Sequence, residues 1–545
     1  LSGTHTPEYI RNRRATIGVD FGSNNSCLSY SVDGVVKPFT FKNRRVFLMG
    51  AEALNGETKF ASLHEMYFFQ NENIVNGQLK TWVQQHNRLS VVPGKETAEL
   101  AGGVPVFEPN IRVLAMEKSF MRTNAGELYY SLKWENDDAG MHRKEGFLKT
   151  LWLKMCAELY ENQYAPNVMR WSYPGALSKK DQRLYNTMYG NIAQMSPIRN
   201  VPAASLELPL TEAEAVCNYA LSKGGLAFYG DNMMIGADVG GSTCNVLLVA
   251  REKDATGNYA PRLVKQSSMR MSAGKLAEVT LKSSQVREAI CYFATSGATN
   301  MKVMGVEEMR NNPSVSPYYL NTILDRLRGD DFDKFYKSLA QSGSPYVNKA
   351  EARAIFAIPT YICGTILFYS GMLAAKTIRE RNLGGVQSFE FFPFGKGGRM
   401  FDWLESFIGK PDTLDYYNRC FKAGFGPGAE TVKLVKRDEI RQDNKSEVSF
   451  GLSAERKVVV DEQSRDTADI FGEEGFVFGG QTLTAADSVT TQHLERIEQF
   501  DQIPAQFVNF EKFLDVFLGL AGPNDAGIIE NTQALKAKLP EIRRM

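Results

Sequence analysis

The sequence has few cysteines and histidines, and neither kind is clustered. Its seven cysteines are scattered singly without a C-x-x-C pair, and its five histidines form no H-x-x-x-H pattern. These absences exclude a disulfide framework and argue against a metal site built from cysteine or histidine. Single cysteines are typical of proteins in a reducing compartment, so we expect a cytoplasmic protein.

A charge excess of either sign is also absent. The 545 residues include 63 Lys and Arg against 62 Asp and Glu, which gives a formal net charge of +1. Proteins that bind nucleic acids usually carry a clear basic excess, so we expect no nucleic-acid partner. Hydrophobic residues make up 43% of the chain, and this content excludes disorder as its dominant state.

Long uncharged runs are scarce. The longest, 356–375, reads FAIPTYICGTILFYSGMLAA and has enough residues to span a bilayer. It also contains a proline, two glycines and several hydroxyl groups, and the core helix of a large globular protein gives the same pattern. We therefore expect a buried helix and no membrane span. The polar start LSGTHTPEYIRNRR lacks the apolar segment of a signal peptide.

Two segments of the chain share one design. Residues 15–34 read ATIGVDFGSNNSCLSYSVDG and residues 232–250 read NMMIGADVGGSTCNVLLVA. Each has an apolar strand, an aspartate, a glycine with small polar residues, and a second strand, with Ile, Gly, Asp and Gly at equal offsets. The pattern predicts two β-hairpins and an internal repeat, so that each half of the chain would form a lobe of its own.

The tips of these hairpins have the composition of phosphate-binding loops. Such a loop needs small residues that expose backbone N–H groups, glycine where the phosphate comes close, and a carboxylate for Mg²⁺. A simple turn between strands is the alternative for each motif taken alone, but two motifs at matched offsets favour two loops that grip a triphosphate from both sides. Neither a G-x-x-x-x-G-K-[ST] P-loop nor a G-x-G-x-x-G dinucleotide motif occurs. The candidate residues are Asp20, Gly22, Ser23 and Asn24 in the first loop, and Asp238, Gly240, Gly241, Ser242 and Thr243 in the second.

The intervening segments predict an alternation of helices and strands. We expect helices over 146–160, from Ser178 onward, over 211–222, over 356–378 and over 507–520, and helical, charged sequence over 275–345. We expect strands over 168–174, 388–394, 457–460 and 476–478.

These motifs, taken in order, resemble the superfamily of actin, DnaK-type heat-shock chaperones and sugar kinases, and are closest to its chaperone-like bacterial members. The resemblance implies an α/β class and a two-lobed actin-like ATPase fold, with duplicated ribonuclease-H-like lobes around a nucleotide cleft. The motifs that carry it are Ile17–Ser26, Trp171–Leu177, Thr211–Leu221, Ile235–Val249, Phe391–Leu404 and Asp443–Leu452. The implied domains are 1–14, an N-terminal extension; 15–220, lobe I with the first phosphate loop and an insertion; 221–430, lobe II with the second phosphate loop and the adenosine motif; and 431–545, a segment that returns toward lobe I and ends in a tail.

The same resemblance implies ATP or ADP with Mg²⁺ as the cofactors and assigns roles to residues. Asp20 and Asp238 would hold Mg²⁺ through water, and Glu212 would orient the attacking water, with Glu214 as its rival two residues on. The glycine turn G-K-G-G-R departs from the usual Gly-Gly-Ser, and Lys396 or Arg399 would meet adenine or phosphate there. Lys80 and Lys118 are candidates for a lysine near the γ-phosphate. The turn residues expected to bind nucleotide are Gly395, Lys396, Gly397 and Gly398.

The resemblance also implies a crossing helix at 356–378. Gly364 and Gly371 lie seven residues apart on one helix face, and we expect that face to pack closely against the helix that begins at Thr211. Ala213, Ala215 and Ala220 would supply the matching small side chains.

Four functions remain open at this point. The first is a chaperone- or actin-like ATPase whose lobes close on ATP and reopen after hydrolysis, acting on an unidentified protein partner or client. The others are an actin-like filament-forming protein, a small-molecule kinase of the same fold, and a pseudo-ATPase that binds nucleotide as a signal. Only 93 residues follow Leu452, too few for a chaperone's substrate domain and lid, so we expect either that the sequence ends early or that the protein is an ATPase of another use.

Overall fold

The computed structural model describes a large part of the chain, with gaps. The predicted helical segment 275–345 lies outside the described residues apart from residue 284, as do Asn24 and Lys118. The described residues are 10, 12–23, 25–40, 78–81, 83–85, 105–106, 127–129, 132–135, 137–175, 177–195, 201–223, 232–253, 257, 259–269, 271–274, 284, 349–438, 446–460, 467–469, 476–478, 480–483, 488–490, 500–502 and 508–519.

The described strands are numbered in chain order. They are β1 Arg14–Asp20, β2 Asn25–Val32, β3 Val35–Pro38, β4 Gln78–Lys80, β5 Val83–Gln85, β6 Pro105–Val106, β7 Glu127–Tyr129, β8 Ala165–Tyr173, β9 Ser205–Leu206, β10 Leu210–Thr211, β11 Asn232–Val239, β12 Cys244–Lys253, β13 Tyr259–Met269, β14 Ser388–Phe394, β15 Lys433–Lys436, β16 Val459–Val460, β17 Thr467–Asp469, β18 Phe476–Phe478, β19 Gln481–Leu483, β20 Ser488–Thr490 and β21 Phe500–Gln502.

The described helices are numbered in the same way. They are α1 Asp138–Glu161, α2 Lys179–Gln194, α3 Glu212–Ser222, α4 Lys349–Arg381, α5 Met400–Ile408, α6 Lys410–Phe425, α7 Glu447–Ser453 and α8 Val508–Leu518, with short 3-10 helices at Leu132–Trp134, Lys396–Arg399 and Ala429–Thr431.

The chain divides into two compact units. Unit 1 is drawn from Leu1–Tyr173, Lys180–Ser222 and Gln442–Arg456, and unit 2 from Pro174–Lys179, Lys223–Arg441 and Lys457–Met545. The last helix of unit 1, α7, therefore comes from a segment that follows most of unit 2 in the chain.

Unit 1 contains a mixed sheet in the order β10-β8-β1-β2-β3, with β4 beside β2 and β9 beside β8. The predicted first hairpin is confirmed, because β1 and β2 pair antiparallel. A two-residue turn then leads to β3, in which Asp33 and Gly34 both have positive φ values of 52° and 79°. Such a turn matches the twist of the strands that it joins. On its other side β1 pairs parallel with β8, and β8 pairs parallel with β10.

Unit 2 contains a second mixed sheet in the order β15-β14-β11-β12-β13-β16. The predicted second hairpin is also confirmed, since β11 and β12 pair antiparallel. Strand β11 pairs parallel with β14, and β14 pairs parallel with β15. The first five strands of this order repeat the arrangement in unit 1. In each unit three antiparallel strands come first in the chain, and two later strands then join the sheet in parallel beside the first of them. The protein is therefore of the α/β class, with mixed sheets.

Helix α7 covers the unit 1 sheet at very short range. The carbonyl oxygen of Ser449 lies so close to Gly18 of β1 that a Cβ there would collide with it, and Gly451 approaches the backbone of Ala215 on α3 in the same way. The Arg170 guanidinium donates to the carbonyl oxygens of Leu452 and Ala454, and so satisfies groups that the end of the helix leaves unpaired.

Helix α4 forms much of the core of unit 2. Its stretch Ile358–Arg381 is the one described helix long and apolar enough to cross a membrane, and 72% of its most apolar window is buried inside the protein. The core helix of a globular protein has the same properties. The absence of a membrane span stays a prediction.

The prediction that α4 packs its glycine face against α3 was wrong. Gly364 and Gly371 do share one face, but that face packs on α6, where Gly364 meets Tyr416 and Gly371 meets the Phe421 carbonyl oxygen. Ala215, expected to face these glycines, instead approaches Gly451. Small residues on two helices show that each packs closely against something, but they do not identify the partner.

Gly371 provides a direct test of this packing. A Cβ at Gly371 would overlap the Phe421 carbonyl oxygen, which belongs to a helix backbone and cannot rotate away. Overpacking costs about 1–3 kcal/mol or more, and alanine returns about 1 kcal/mol of helix propensity. We expect Gly371→Ala to lower the free energy of unfolding by about 2 kcal/mol, measured by chemical denaturation. Gly384→Ala is the control, since nothing lies within 4 Å of the added atom, and an equal loss in both variants would contradict the packing.

Candidate functional site

Asp20 lies at the carboxyl end of β1, where the first hairpin turns. Its side chain is only 2% exposed, and the next residue, Phe21, is anchored in the core against Phe147 and Tyr185. Gly22 and Ser23 continue the turn, while Asn24 lies outside the described residues. The first hairpin therefore has a buried carboxylate two residues before Gly22, where the small-residue tip begins.

Parallel pairing brings further residues to the same edge of the sheet. The register joins Val19 to Trp171 and Thr211 to Tyr173, so β1, β8 and β10 all end at this edge. Glu212 follows the last residue of β10 directly. The carboxyl ends of parallel strands are the usual place for a ligand in an α/β sheet. Asp20 and Glu212 thus lie at the same edge.

Glu212 forms a buried ion pair with Lys133. The Lys133 Nζ donates to Glu212 Oε1, and the two residues are only 4% and 7% exposed. Removing two charges from water costs free energy, and their mutual attraction offsets part of that cost.

Glu214 has a different, structural position. Its Oε2 accepts a hydrogen bond from the Thr211 backbone N–H at 3.2 Å, and its own N–H donates to Thr211 Oγ1 at 3.1 Å. This reciprocal arrangement is a capping box at the start of α3. The structure therefore separates the two acids that the sequence left as rivals, because Glu214 holds the helix end and Glu212 meets a lysine.

A short 3-10 helix connects the ion pair to the first loop. Trp134, next to Lys133, donates its indole N–H to Ser23 Oγ at 3.1 Å. The carbonyl oxygen of Lys133 accepts a hydrogen bond from the Tyr185 hydroxyl at 2.6 Å, which fixes the segment to α2. Residues far apart in the sequence thus form one connected group around the loop.

A second buried lysine lies beside this group. Lys144 Nζ lies 4.7 Å from the centre of the Tyr185 ring, an arrangement that favours the charged amine. Burial nevertheless lowers the pKa of Lys144 to about 8, although Asp181, Glu135 and Asp137 oppose the shift. Burial also raises the pKa of the Tyr185 hydroxyl, so that it stays a hydrogen-bond donor at neutral pH.

Three buried polar atoms near Asp20 have no hydrogen-bond partner in the described part of the chain. They are Trp171 Nε1, Ser172 Oγ and Tyr189 Oη. Burial raises the pKa of Tyr189, and the neighbouring Tyr185 and Asp20 groups add to the shift. Buried polar atoms are normally hydrogen-bonded, often by water.

Asp238 occupies the matching position in unit 2. It is 4% exposed, and in the sheet it pairs with Asn245, seven residues later, as Asp20 pairs with Cys27. On the parallel side Asp238 is in register with Phe394, the last residue of β14. The two aspartates therefore occupy equivalent positions in two sheets of the same strand order.

The tip of the second hairpin is a braced turn. The Gly240 N–H donates to the Thr243 carbonyl oxygen at 2.8 Å, so this amide closes the turn. The Ser272 hydroxyl and the Gly274 N–H both donate to the Gly241 carbonyl oxygen at 3.0 Å. Ser242 lies at the tip, which is held in shape from behind by residues 272–274.

The glycine turn after β14 meets Asp238 directly. Gly395 has a φ of 72°, and a Cβ there would lie 2.5 Å from Asp238 Oδ1. A Cβ on Gly397 would lie 2.7 Å from the Val239 carbonyl oxygen. Lys396, Gly397 and Gly398 belong to the 3-10 helix Lys396–Arg399, which lies between Gly395 and α5. The structure thus brings the tip of the second hairpin and the glycine turn after β14 to one edge of one sheet.

Lys436 holds the helix that follows this turn. Its Nζ lies 2.9 Å from Asp402, 2.7 Å from Glu405 and 2.9 Å from Asp438. Burial alone would lower the pKa of Lys436, but the three carboxylates raise it above its usual value. The lysine is therefore a permanently charged brace for α5.

The donor set fits a hydrated Mg²⁺ better than a closed metal site. Among the described residues, no three His, Cys, Asp or Glu side chains cluster as metal ligands. Mg²⁺ keeps several waters and is commonly held by one or two carboxylates together with phosphate oxygens. One buried carboxylate at each loop, with a glycine at position 395 that leaves no room for a side chain beside Asp238, suits that mode of binding.

The chain was compared with known proteins, and neither any protein-family model nor any curated protein matches it. The candidate site therefore stands on its own geometry.

Sequence reasoning missed Lys133 and Trp134. It considered Lys80, which lies in β4, and Lys118, which lies outside the described residues. The sequence feature that could have indicated Lys133 is its position between two apolar residues, Leu132 and Trp134. Such a lysine is commonly a surface residue, and only its contact with Glu212 distinguishes it.

The ion pair predicts an effect on stability that does not depend on any ligand. We expect Lys133→Met to lower the free energy of unfolding by about 3 kcal/mol, because it leaves the Glu212 charge buried without its partner. The double variant Lys133→Met/Glu212→Leu should recover most of the loss. Chemical denaturation of the single and double variants measures both effects.

Lys149→Met is the matched control for this test. Lys149 pairs with Glu145 at 2.7 Å in the same unit, but both side chains are partly exposed. Exposed pairs contribute at most about 1 kcal/mol. An equal effect of Lys133→Met and Lys149→Met would show that the Lys133 pair is not buried as described.

Proposed function

We propose that this protein binds ATP with Mg²⁺ and hydrolyses it, as an ATPase of the chaperone-like or actin-like type with two lobes. One observation carries the proposal: two sheets of the same strand order place a buried aspartate, followed by a glycine-containing tip, at the same position of a hairpin. If the two hairpins were joined only by simple turns, neither turn would need a buried carboxylate. A repeated phosphate loop requires both the carboxylate and the small residues.

The contacts of unit 1 support the catalytic part of the proposal. The buried contact with Lys133 holds the Glu212 side chain in one place, and a carboxylate oxygen can accept a hydrogen bond from water. Ser23 offers a hydroxyl group at the tip after Asp20. Catalysis of phosphoryl transfer depends mainly on positioning and on neutralising charge, and these residues supply the positioning.

The contacts of unit 2 support the binding part. The hydroxyl groups of Ser242 and Thr243 and the backbone of the tip lie after Asp238, and the glycines of residues 395–398 allow a nucleotide to approach the backbone closely. Helix α5 begins directly after this turn, and the N-terminus of a helix favours an anion. In each unit the buried aspartate, Asp20 or Asp238, would hold waters of a bound Mg²⁺, which would neutralise phosphate charge.

Nucleotide binding and turnover with Mg²⁺ test the proposal. We expect wild type to bind ATP by titration calorimetry, and Asp20→Asn and Asp238→Asn each to weaken binding tenfold or more. We expect Glu212→Gln to bind ATP but to hydrolyse it about a hundredfold more slowly, since its role is in catalysis. Circular dichroism confirms that each variant is folded.

Glu207→Gln is the control for these variants. Glu207 is an ion-paired acid of unit 1 that meets Arg170 at 2.9 Å, and we expect its substitution to leave binding and turnover unchanged. If wild type binds no nucleotide, the proposed function fails. If Glu212→Gln hydrolyses ATP at the wild-type rate, the role given to Glu212 is wrong.

The same preparation separates the other functions that the sequence left open. Light scattering that rises on addition of ATP would indicate a filament-forming protein. ADP release that depends on an added sugar or alcohol would indicate a kinase. Movement of the lobes with nucleotide, and a protein client, stay predictions.

A further inference from the structure

We propose that Trp134 is a positioning residue that commits the Ser23 hydroxyl to donate its hydrogen to a phosphate oxygen. The proposal rests on the proposed function, and adds to it a residue outside both loops that controls how the first loop recognises its anion. The ligand concerned is the polyphosphate of a nucleotide.

The chemistry of the contact leads to this role. An indole N–H can only donate a hydrogen bond, whereas a serine hydroxyl both donates and accepts. Since Trp134 Nε1 lies 3.1 Å from Ser23 Oγ, the serine oxygen is the acceptor at this bond. The hydroxyl hydrogen of Ser23 therefore points to another atom. A hydroxyl group that already accepts a hydrogen bond is also a better donor, because hydrogen bonds in a chain polarise one another.

The surroundings of Trp134 hold it in this position. It ends the 3-10 helix Leu132–Trp134, in which Leu132 is fully buried and Lys133 is held by Glu212 and Tyr185. Three separate contacts therefore fix a segment of three residues beside the loop. A segment placed only to fill space would not need an indole N–H directed at the hydroxyl group.

The position of Ser23 suits an anionic acceptor. Ser23 follows Asp20 by three residues, at the edge of the sheet that Glu212 also occupies. The indole group adds a donor without adding charge, so it strengthens anion recognition without repelling the metal expected at Asp20. A lysine in the same place would compete with that metal.

Substitution of the indole group and the hydroxyl group, singly and together, tests the proposal. Trp134→Phe keeps an aromatic ring and removes the N–H, and Ser23→Ala removes the hydroxyl group. A hydrogen bond to a charged group contributes about 1.5–3 kcal/mol, and about 1.4 kcal/mol corresponds to a tenfold change in affinity. We therefore expect Ser23→Ala to weaken ATP binding at least tenfold, and Trp134→Phe to weaken it about three- to tenfold. The double variant should bind ATP no more weakly than Ser23→Ala alone, because Trp134 acts through Ser23. Titration calorimetry with Mg²⁺ and ATP measures all four affinities.

Trp152→Phe is the matched control. Trp152 donates its indole N–H to the Met195 carbonyl oxygen at 2.7 Å in the same unit, so its substitution removes an equivalent hydrogen bond from another place. We expect this variant to lose stability and to keep its ATP affinity. Unchanged ATP affinity in Trp134→Phe, or additive losses in the double variant, would overturn the proposal.

A measurement without ligand distinguishes failure of this proposal from failure of the proposed function. In protein labelled with ¹⁵N-tryptophan, the Trp134 indole resonance is assigned by its loss in Trp134→Phe. We expect Ser23→Ala to move that resonance and to leave the Trp152 indole resonance in place. If wild type binds no ATP, the proposed function fails and the ligand assigned here fails with it. If the Trp134 resonance does not move, the contact itself is refuted whatever the protein binds.

Discussion

Parallel pairing of each hairpin with a later strand is the constraint on which the candidate site depends. A hairpin alone would leave its turn exposed at the end of two strands. Because β8 and β10 run parallel to β1, the segments that follow all three strands meet at one edge, and β14 does the same for β11. A parallel neighbour must be reached by a crossover, so residues distant in the sequence arrive beside each aspartate.

This constraint has an energetic consequence, because the edges hold buried charge. Carboxylates in a protein interior are costly unless they are paired or solvated. At the edge in unit 1 Glu212 is compensated by Lys133, whereas Glu214 is used to cap α3. In unit 2 Gly395 leaves the space beside the Asp238 carboxylate without a side chain. Both edges thus contain buried carboxylates, and specific contacts surround them. Such an arrangement is consistent with the proposed binding of an anionic ligand and a cation.

Some of the architecture could be predicted from local sequence. The two hairpins follow from β-forming residues on either side of an Asp-Gly tip, and the turn at Asp33 and Gly34 follows from residues that tolerate positive φ. The strand over 388–394 was predicted with its observed bounds, since an apolar run ends at a glycine turn. The capping role of Glu214 could also be predicted, because a threonine three residues before a glutamate is the pattern of a capping box.

What the sequence by itself determined is the local unit: a strand, an aspartate, a tip of small residues and a second strand, repeated once. What only the tertiary structure decided is which distant residues meet those units. Lys133 reaches Glu212, Trp134 reaches Ser23, and Gly371 meets α6. The physical reason is that turn chemistry and hydrophobic periodicity act between neighbours in the chain, whereas a buried lysine, an indole N–H or a helix glycine looks the same in sequence whatever partner it meets.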